Sequence, residues 1–198
     1  MELYLIRHGE SEANFNNTHS GWSAVNLTET GRRQAEMARR HIQGIHFDKL
    51  FVSDVLRAQQ TAEILFPGAE RTYITIAREI NNTALQGHGR DYWYEKLGEK
   101  YLECRKQIDY SPLGMDCESL SHLSGRAQEL LDLASKMPEH SRIAVVCHAL
   151  FIRALTGRVL ELDPRNPALV CSNASICIFR CKNGQWQLKT WNLCPEHP

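Results

Sequence analysis

LYLIRHGES, at residues 3–11, gives the clearest indication of how this chain folds. Four apolar residues are followed at once by Arg7, His8 and Gly9, a pattern that predicts a buried strand with a charged pair in the loop at its end. In α/β proteins, ligands bind beside the loops that follow parallel strands. Arg7 offers a forked cation for phosphate or carboxylate oxygens, and His8 can act as a nucleophile or a base. Taken alone, the stretch could equally be a strand end with solvated charges.

Composition sets the class of protein. The chain has 198 residues, 42% of them hydrophobic, which suits one domain with a substantial core. The net charge of zero gives no indication of a nucleic-acid or membrane-surface partner. We find no bilayer-spanning segment and no secretory signal. Seven cysteines without a Cys-x-x-Cys pair favour a reducing, cytoplasmic location. The nearest metal-ligating pair, Cys194 and His197, is too small a set for a zinc site, so we expect no metal and no cofactor.

Apolar runs and turn signals alternate along the chain. They predict a three-layer α/β sandwich with a mostly parallel central sheet and an antiparallel edge hairpin at Asn183-Gly184. Helices are expected from the N-cap Thr28 to Ile42, after a cap at Ser53 or Asp54, and at 118–136 and 149–160. Strands are expected at 2–6, 48–52, 72–76, 142–147, 175–181 and 185–191.

Two regions of the sequence show no clear hydrophobic periodicity. Residues 12–26 are rich in Asn, Ser and Gly and predict a long loop. Residues 77–117 predict an excursion inserted into the single domain 1–198, a lid with one helix near 92–106. Aromatic side chains here and in the earlier loop either wall a substrate pocket or seal the excursion against the sheet, namely Trp22, Tyr92, Trp93 and Tyr94.

Three of the predicted strands end in polar or charged residues. Because the ends of parallel strands meet at one sheet edge, Arg7, His8, Arg57 and His148 are expected to lie together. Two helix N-termini point to the same edge and add positive potential and free amide donors. Such a site suits an anion, and a tetrahedral phosphate is the natural ligand.

This set of residues can transfer a phosphoryl group without a metal. His8 could attack phosphorus and form a phosphohistidine, while arginines and the second histidine neutralise the oxygens. The leaving oxygen needs an acid, for which Glu79 is the first choice, with Glu95 and Glu118 as alternatives. Glu10 could be a second acid, but directly after Gly9 it is expected instead to orient a neighbour or cap the loop.

The joint pattern resembles the histidine phosphatase superfamily, also called phosphoglycerate-mutase-like. LIRHGES, followed by Asn14, is similar to the signature of that family. The resemblance implies that Arg57 binds phosphate, that Glu79 is the acid and that His148 is the second histidine. It extends to about residue 160 through the segments SGWSAVNLTETGRRQA (20–35), SDVLRAQQTAEIL (53–65), REINNTALQG (78–87), CESLSHLSGR (117–126) and VVCHALFIRAL (145–155).

Further ligand contacts are expected around this core. Asn14, Ser20 and Gly21 are candidate phosphate-loop donors, although loop residues of these types also serve turn geometry. Arg90 lies at a spacing similar to that of the substrate cations of the mutases, and it could equally lie on an exposed helix face. Ala149 follows the second histidine, where the family usually has glycine.

The resemblance leaves three functions to weigh. The first is a phosphatase acting on a small phosphorylated metabolite, as in bacterial enzymes similar to alpha-ribazole phosphatase. The second is a phosphoglycerate-type mutase with the same intermediate, which Ile80-Asn81-Asn82 disfavours because mutases carry Arg-His-Tyr there. The third is a non-catalytic sensor of a phosphorylated ligand. The sequence leaves open whether the chain forms a homodimer.

Overall fold

Six strands form one sheet in the computed structural model, which describes residues 1–194. Its strand order is β3-β2-β4-β1-β5-β6; the first four are parallel, and β5 and β6 form an antiparallel hairpin at one edge. This confirms the predicted sheet. His197, considered above as a metal ligand, lies outside the described residues. The strands are β1 (Glu2–Arg7), β2 (Lys49–Ser53), β3 (Thr72–Ile74), β4 (Arg142–Cys147), β5 (Ile176–Lys182) and β6 (Gln185–Leu193).

Helices cover both faces of the sheet, as a three-layer sandwich requires. The helices are α1 (Glu12–Phe15), α2 (Glu29–Ile42), α3 (Leu56–Leu65), α4 (Arg90–Leu97), α5 (Glu99–Gln107), α6 (Leu120–Ser135) and α7 (Ala149–Leu160). Alternate residues of β1 point to opposite faces: Leu3 and Leu5 pack with α6 and α7, and Tyr4 and Ile6 pack with α2 and α3.

The loop predicted at residues 12–26 contains a short helix, and that prediction was wrong. Ser11 caps α1 by accepting a hydrogen bond from Asn14 N, while the Asn14 side chain accepts one from Ser11 N. This reciprocal capping box has asparagine in place of the usual Glu or Gln, so its composition resembled that of a loop.

The predicted caps of α3 were also wrong. Its N-cap is Val55, whose side chain forms no capping hydrogen bond. Asp54 instead pairs with Arg78, and the hydroxyl of Ser53 bonds to His148. Both polar residues make tertiary contacts at the sheet edge, which leaves the first amides of α3 uncapped.

The excursion at 77–117 contains two helices where one was predicted. Gly98, with φ of +56°, separates α4 from α5. The segment has a small apolar cluster of its own, with Leu85, Tyr101, Cys104 and Tyr110 buried in it. Trp93 packs against that cluster and donates to Leu85 O, whereas Tyr92 and Tyr94 are 37% and 46% exposed.

Two glycines bring the end of β1 against the start of α2. An added Cβ on Gly31 would lie 2.0 Å from Glu10 O, and one on Gly9 would lie 2.2 Å from Gly31 O. No other residue permits backbones to approach so closely. The predicted N-cap is confirmed here, since the Thr28 hydroxyl accepts from Gly31 N.

The structure of residues 1–194 also bears on the cysteines, on membrane insertion and on metal binding. All seven cysteines are free thiols, and Cys104, Cys147, Cys171 and Cys177 are buried. Within residues 1–194, no helix has both the length and the apolar character needed to span a membrane. In the same range, no three His, Cys, Asp or Glu side chains are grouped so that they could hold a metal ion.

Candidate active site

His8 and His148 lie side by side at the carboxyl ends of β1 and β4. Their ring centroids are 5.1 Å apart with the planes tilted by 60°. Both are buried, at 3% and 0% exposure. The two strands are adjacent and in register, with Arg7 opposite Cys147, so each strand delivers the next residue to the same point.

The hydrogen bonds of His8 define its tautomer. Nδ1 lies 2.6 Å from the Gly9 carbonyl oxygen, which can only accept, so Nδ1 carries the proton. Arg57 Nε donates to Nε2 across 3.2 Å, so Nε2 bears the lone pair. Burial, together with the charges of Arg57 and Arg7, holds the pKa of His8 well below its usual value. The ring is therefore neutral, with a basic nitrogen beside a cation.

Two guanidinium groups act on His8: the buried Arg57 bonds to its Nε2, and the charge of the partly buried Arg7 lowers its pKa. Arg57, in the first turn of α3, donates through Nη2 to Gly21 O at 2.9 Å, while Nη1 is buried without a partner in residues 1–194. Arg7 donates through Nη1 to Cys171 O at 2.6 Å, and its Nε is likewise buried and unpaired in the described chain. Burial lowers the pKa of Arg57 to about 10, which still leaves it charged at neutral pH. Each arginine thus keeps an N–H for an anion.

His148 presents a further polar atom. Its Nε2 lies 2.9 Å from Ser53 Oγ, and its Nδ1 is buried with no partner in the described residues. Burial, then the charges of Arg57 and His8, lower the pKa of His148 well below its usual value. His148 is also the N-cap of α7 and forms no side-chain cap, and Val55 forms none at α3, so two helix N-termini lie at this edge without a cap from their own N-cap residue.

The carboxyl group of Glu79 lies against the N-terminus of α7. Its Oε2 accepts from Leu150 N at 3.3 Å, and its Oε1 accepts from Ile80 N at 3.0 Å. Its negative charge acts on both Arg7 and Arg57. The structure therefore places this carboxyl group within electrostatic range of both guanidinium groups.

The alternative acids lie elsewhere. Glu118 is held in a buried ion pair with Arg126. Glu95 is exposed on α4. Glu10 accepts a hydrogen bond from the Thr28 hydroxyl at 2.6 Å, in the loop-capping position predicted for it.

Among the expected ligand contacts, Gly21 is in the site. Its carbonyl fixes Arg57, its φ is +46°, and an added Cβ would lie 2.5 Å from Thr83 N. Ser20 is adjacent, and its carbonyl accepts from Ser23 N at 2.8 Å in a turn. Ala149 is the first residue of α7, directly after His148.

Asn14 and Arg90 occupy different surroundings. Asn14 Oδ1 accepts from Asn173 Nδ2 at 3.2 Å, and the same Nδ2 donates to His8 O at 3.3 Å. The side chain of Asn173 therefore links Asn14 to the backbone of His8. Arg90 is exposed at the start of α4, and its charge acts on the half-buried His19. It makes no hydrogen bond to the five clustered residues, Arg7, His8, Arg57, Glu79 and His148.

The loop 171–175, which sequence reasoning missed, supports the first strand end. Besides Cys171 O, Ser175 O accepts from Arg7 N at 3.0 Å, and Ala174 N donates to His8 O at 3.1 Å. More than 160 residues separate the partners in sequence, and no local pattern marks the loop.

The chain is similar in sequence to proteins of a known family. A family model described as the histidine phosphatase superfamily (branch 1) matches residues 3–194. A 2,3-bisphosphoglycerate-dependent phosphoglycerate mutase from Cytophaga hutchinsonii is 30% identical over 177 residues, covering 85% of this chain and 81% of that protein.

Solved structures agree with the family match. A mycobacterial glucosyl-3-phosphoglycerate phosphatase, determined with VO3, superimposes with a TM-score of 0.83 at 27% identity, over 97% of this chain and 98% of that one. A candidate alpha-ribazole-5′-P phosphatase from Escherichia coli gives a TM-score of 0.86 at 22% identity over 97% and 96%, which bears on the fold alone. With sequence, fold and clustered histidines in agreement, this chain belongs to the histidine phosphatase superfamily.

Proposed function

We propose that the chain is a metal-independent phosphomonoesterase that hydrolyses a small phosphorylated metabolite of the cytoplasm through a phosphohistidine at His8. One observation carries the proposal: the lone pair of His8 Nε2 lies beside Arg57, and Arg57 and the neighbouring Arg7 each keep a buried, unpaired N–H in the described chain. A neutral imidazole is the nucleophilic form, and the arginines supply the charge that phosphoryl oxygens require.

The first half-reaction breaks the ester bond. Phosphoryl oxygens bind Arg7 Nε and Arg57 Nη1, the two donors without a partner in residues 1–194. His8 Nε2 forms a bond to phosphorus as the bond from phosphorus to the ester oxygen breaks. The Glu79 carboxyl donates its proton to that oxygen, so the alcohol leaves neutral.

The second half-reaction returns the enzyme to its starting state. Glu79, now a carboxylate, removes a proton from a water molecule that attacks phosphorus. The bond from phosphorus to His8 breaks and phosphate leaves. His148 assists both steps when Ser53 donates to its Nε2, because Nδ1 then carries a proton for a phosphoryl oxygen.

A phosphoglycerate-type mutase is the second candidate, because several relatives carry that name. The phosphohistidine would form in the same way, but the phosphoryl group would return to a substrate hydroxyl in place of water. A mutase needs a bisphosphorylated primer and releases little phosphate. Release of inorganic phosphate in stoichiometric amounts, without a primer, would therefore favour the phosphatase.

Replacing the nucleophile tests the proposal. The wild-type chain and His8→Ala are incubated with p-nitrophenyl phosphate and with a panel of sugar phosphates, phosphoglycerates and nucleotides, and phosphate release and acid-labile protein-bound phosphate are measured. We expect His8→Ala to lose both signals, while the exposed His140→Ala keeps them. Hydrolysis that persists in His8→Ala would reject the assignment.

A further inference from the structure

The segment that carries Glu79 has no regular secondary structure. Residues 75–82 lie between β3 and a 3₁₀ turn at Thr83–Leu85, without helix or strand hydrogen bonds. A carboxyl group that must meet a leaving oxygen needs a fixed backbone, since small displacements at a reacting group are costly. Side chains from elsewhere in the fold must therefore hold this segment.

Arg126 of α6 makes most of those contacts. Its Nη1 donates to Ile76 O at 2.7 Å and to Arg78 O at 2.8 Å, and its Nη2 donates to Glu79 O at 3.1 Å. One side chain thus binds three carbonyl groups in four consecutive residues. The guanidinium fork suits this task because its five N–H groups have fixed directions.

Glu118 orients that arginine and also holds the far side of the segment. Its Oε1 accepts from Arg126 Nε at 2.8 Å, and its Oε2 accepts from Arg126 Nη2 at 2.7 Å. Oε2 also accepts from Asn81 N at 2.9 Å, and Glu118 N donates to Asn81 O at 2.7 Å. The pair therefore holds the backbone from 76 to 81, on both sides of Glu79.

This ion pair is buried, with side-chain exposures of 9% for Arg126 and 4% for Glu118. Burial alone raises the pKa of the Glu118 carboxyl, but the hydrogen bonds and charge of Arg126 outweigh it and lower that pKa overall. Glu118 is therefore a carboxylate at neutral pH. A buried ion pair is seldom more stabilising than apolar residues of equal size, so fold stability alone does not account for this one.

A third contact comes from the opposite direction. Trp22 Nε1 donates to Glu79 O at 2.7 Å, and the Arg78 guanidinium lies over the Trp22 ring at 4.6 Å from its centroid. The carbonyl of Glu79 therefore accepts from α6 on one side and from the loop that contains Gly21 on the other.

We propose that Arg126 and Glu118 are positioning residues for Glu79, holding the backbone of residues 76–81 so that its carboxyl group can reach the leaving oxygen. This inference rests on the proposed role of Glu79 as the acid. Neither side chain touches the substrate. The proposal explains in physical terms why CESLSHLSGR contains a glutamate and an arginine that lie eight residues apart and meet at the start of α6.

The leaving group of the substrate provides the decisive test. Hydrolysis of an alkyl ester such as glycerol phosphate needs the acid, whereas p-nitrophenyl phosphate loses a stable anion. For Arg126→Met we expect kcat/KM to fall about 100-fold on the alkyl ester and less than about tenfold on the aryl ester. A merely structural role would lower both by the same factor, and that result would overturn the proposal.

Two further variants guard against a failure to fold. Glu118→Gln keeps the shape of the side chain, and Trp22→Phe removes the N–H that reaches Glu79 O while keeping an aromatic ring at that position. We expect each to show a smaller selective loss on the alkyl ester, about tenfold. Arg158→Lys, on the exposed face of α7, is the matched control and should leave both rates unchanged.

A crystal structure of Arg126→Met separates this proposal from the proposed function. We expect Glu79 Oε2 to lose the contact with Leu150 N that is 3.3 Å long in the wild-type chain. If the contact persists, the positioning role is wrong whatever the activity. If the contact is lost but the wild-type chain hydrolyses neither ester, the proposed function fails and the positioning of Glu79 stands.

Discussion

Arg57 Nε donates a hydrogen bond to His8 Nε2 across 3.2 Å, between a cation of α3 and the imidazole after β1. The contact leaves Nε2 as the nitrogen with the lone pair, and the charge of Arg57 adds to the effect of burial in lowering the pKa of the ring. A single arginine can thus prepare the nucleophile and bind the phosphoryl group that it attacks.

Arg57→Met should separate activity from stability. Removing one preorganised donor to the transferred group should lower the rate of phosphate release at least about 100-fold. The guanidinium is buried and has no carboxylate in a salt bridge with it in residues 1–194, so its loss should raise the free energy of unfolding by about 1 kcal/mol. Initial rates and urea denaturation measure the two effects. A large loss of stability would show that Arg57 has mainly a structural role.

Glu79→Gln tests the acid directly. The amide keeps the acceptor for Leu150 N but cannot donate a proton as a carboxylic acid does. Hydrolysis of alkyl phosphates should slow about 100-fold or more, and p-nitrophenyl phosphate should be affected much less. Matched losses on both substrates would point to a different acid.

Stability should fall in mild acid. Burial and nearby arginines lower the pKa of His8 and His148 well below 6.5, and lower that of His19 to about 4. Below pH 6.5 the unfolded chain binds protons at these three positions and the folded chain does not, so acid favours unfolding. Each neutral histidine should contribute a slope of about 1.4 kcal/mol per pH unit.

Urea denaturation between pH 8 and pH 5 measures this slope. The free energy of unfolding should be level at the alkaline end and decrease as the pH falls below 6.5. His19→Gln should make the decrease shallower, and replacement of the exposed His140 is the matched control. If the free energy of unfolding stayed constant from pH 8 to 5, these histidines would take up protons in the folded chain as they do in the unfolded chain.

A pair of glycine substitutions should have opposite effects. Gly31→Ala would place a Cβ 2.0 Å from Glu10 O, so we expect a loss of about 1–3 kcal/mol in the free energy of unfolding. In α6, Gly125 has open space around it, so Gly125→Ala should stabilise the chain by about 0.5–1 kcal/mol. Thermal denaturation of both variants tests the prediction, and equal shifts would contradict it.

Features with a local physical cause were predicted well. Thr28 caps α2 because its hydroxyl reaches Gly31 N, a contact three residues away. Asn183-Gly184 turns the edge hairpin through two left-handed residues, which these side chains tolerate. The strand ends that carry His8 and His148 followed from apolar runs that stop abruptly, so the pairing of the two rings could be expected before any coordinates.

Features that depend on distant partners could not be predicted. Ser53 and Asp54 have the composition of helix caps, but their partners His148 and Arg78 lie far along the chain. Glu118 was an alternative acid because the sequence shows that a carboxyl group is present, but it does not show that Arg126 forms an ion pair with that group. The loop 171–175 gave no signal, since it acts through backbone groups that every residue carries.

Because β1 lies between β4 and β5, the surroundings of His8, the proposed nucleophile, can form only late in the synthesis of the chain. β1 leaves the ribosome long before β4 begins at Arg142 and β5 at Ile176, and until then it has no neighbour to pair with. The backbone of His8 is held by two residues that are synthesised late: its backbone N–H donates to Cys147 O, and its carbonyl accepts from Ala174 N. Contacts of such long range close slowly, so we expect the surroundings of His8, the proposed nucleophile, to be complete only when folding is almost finished.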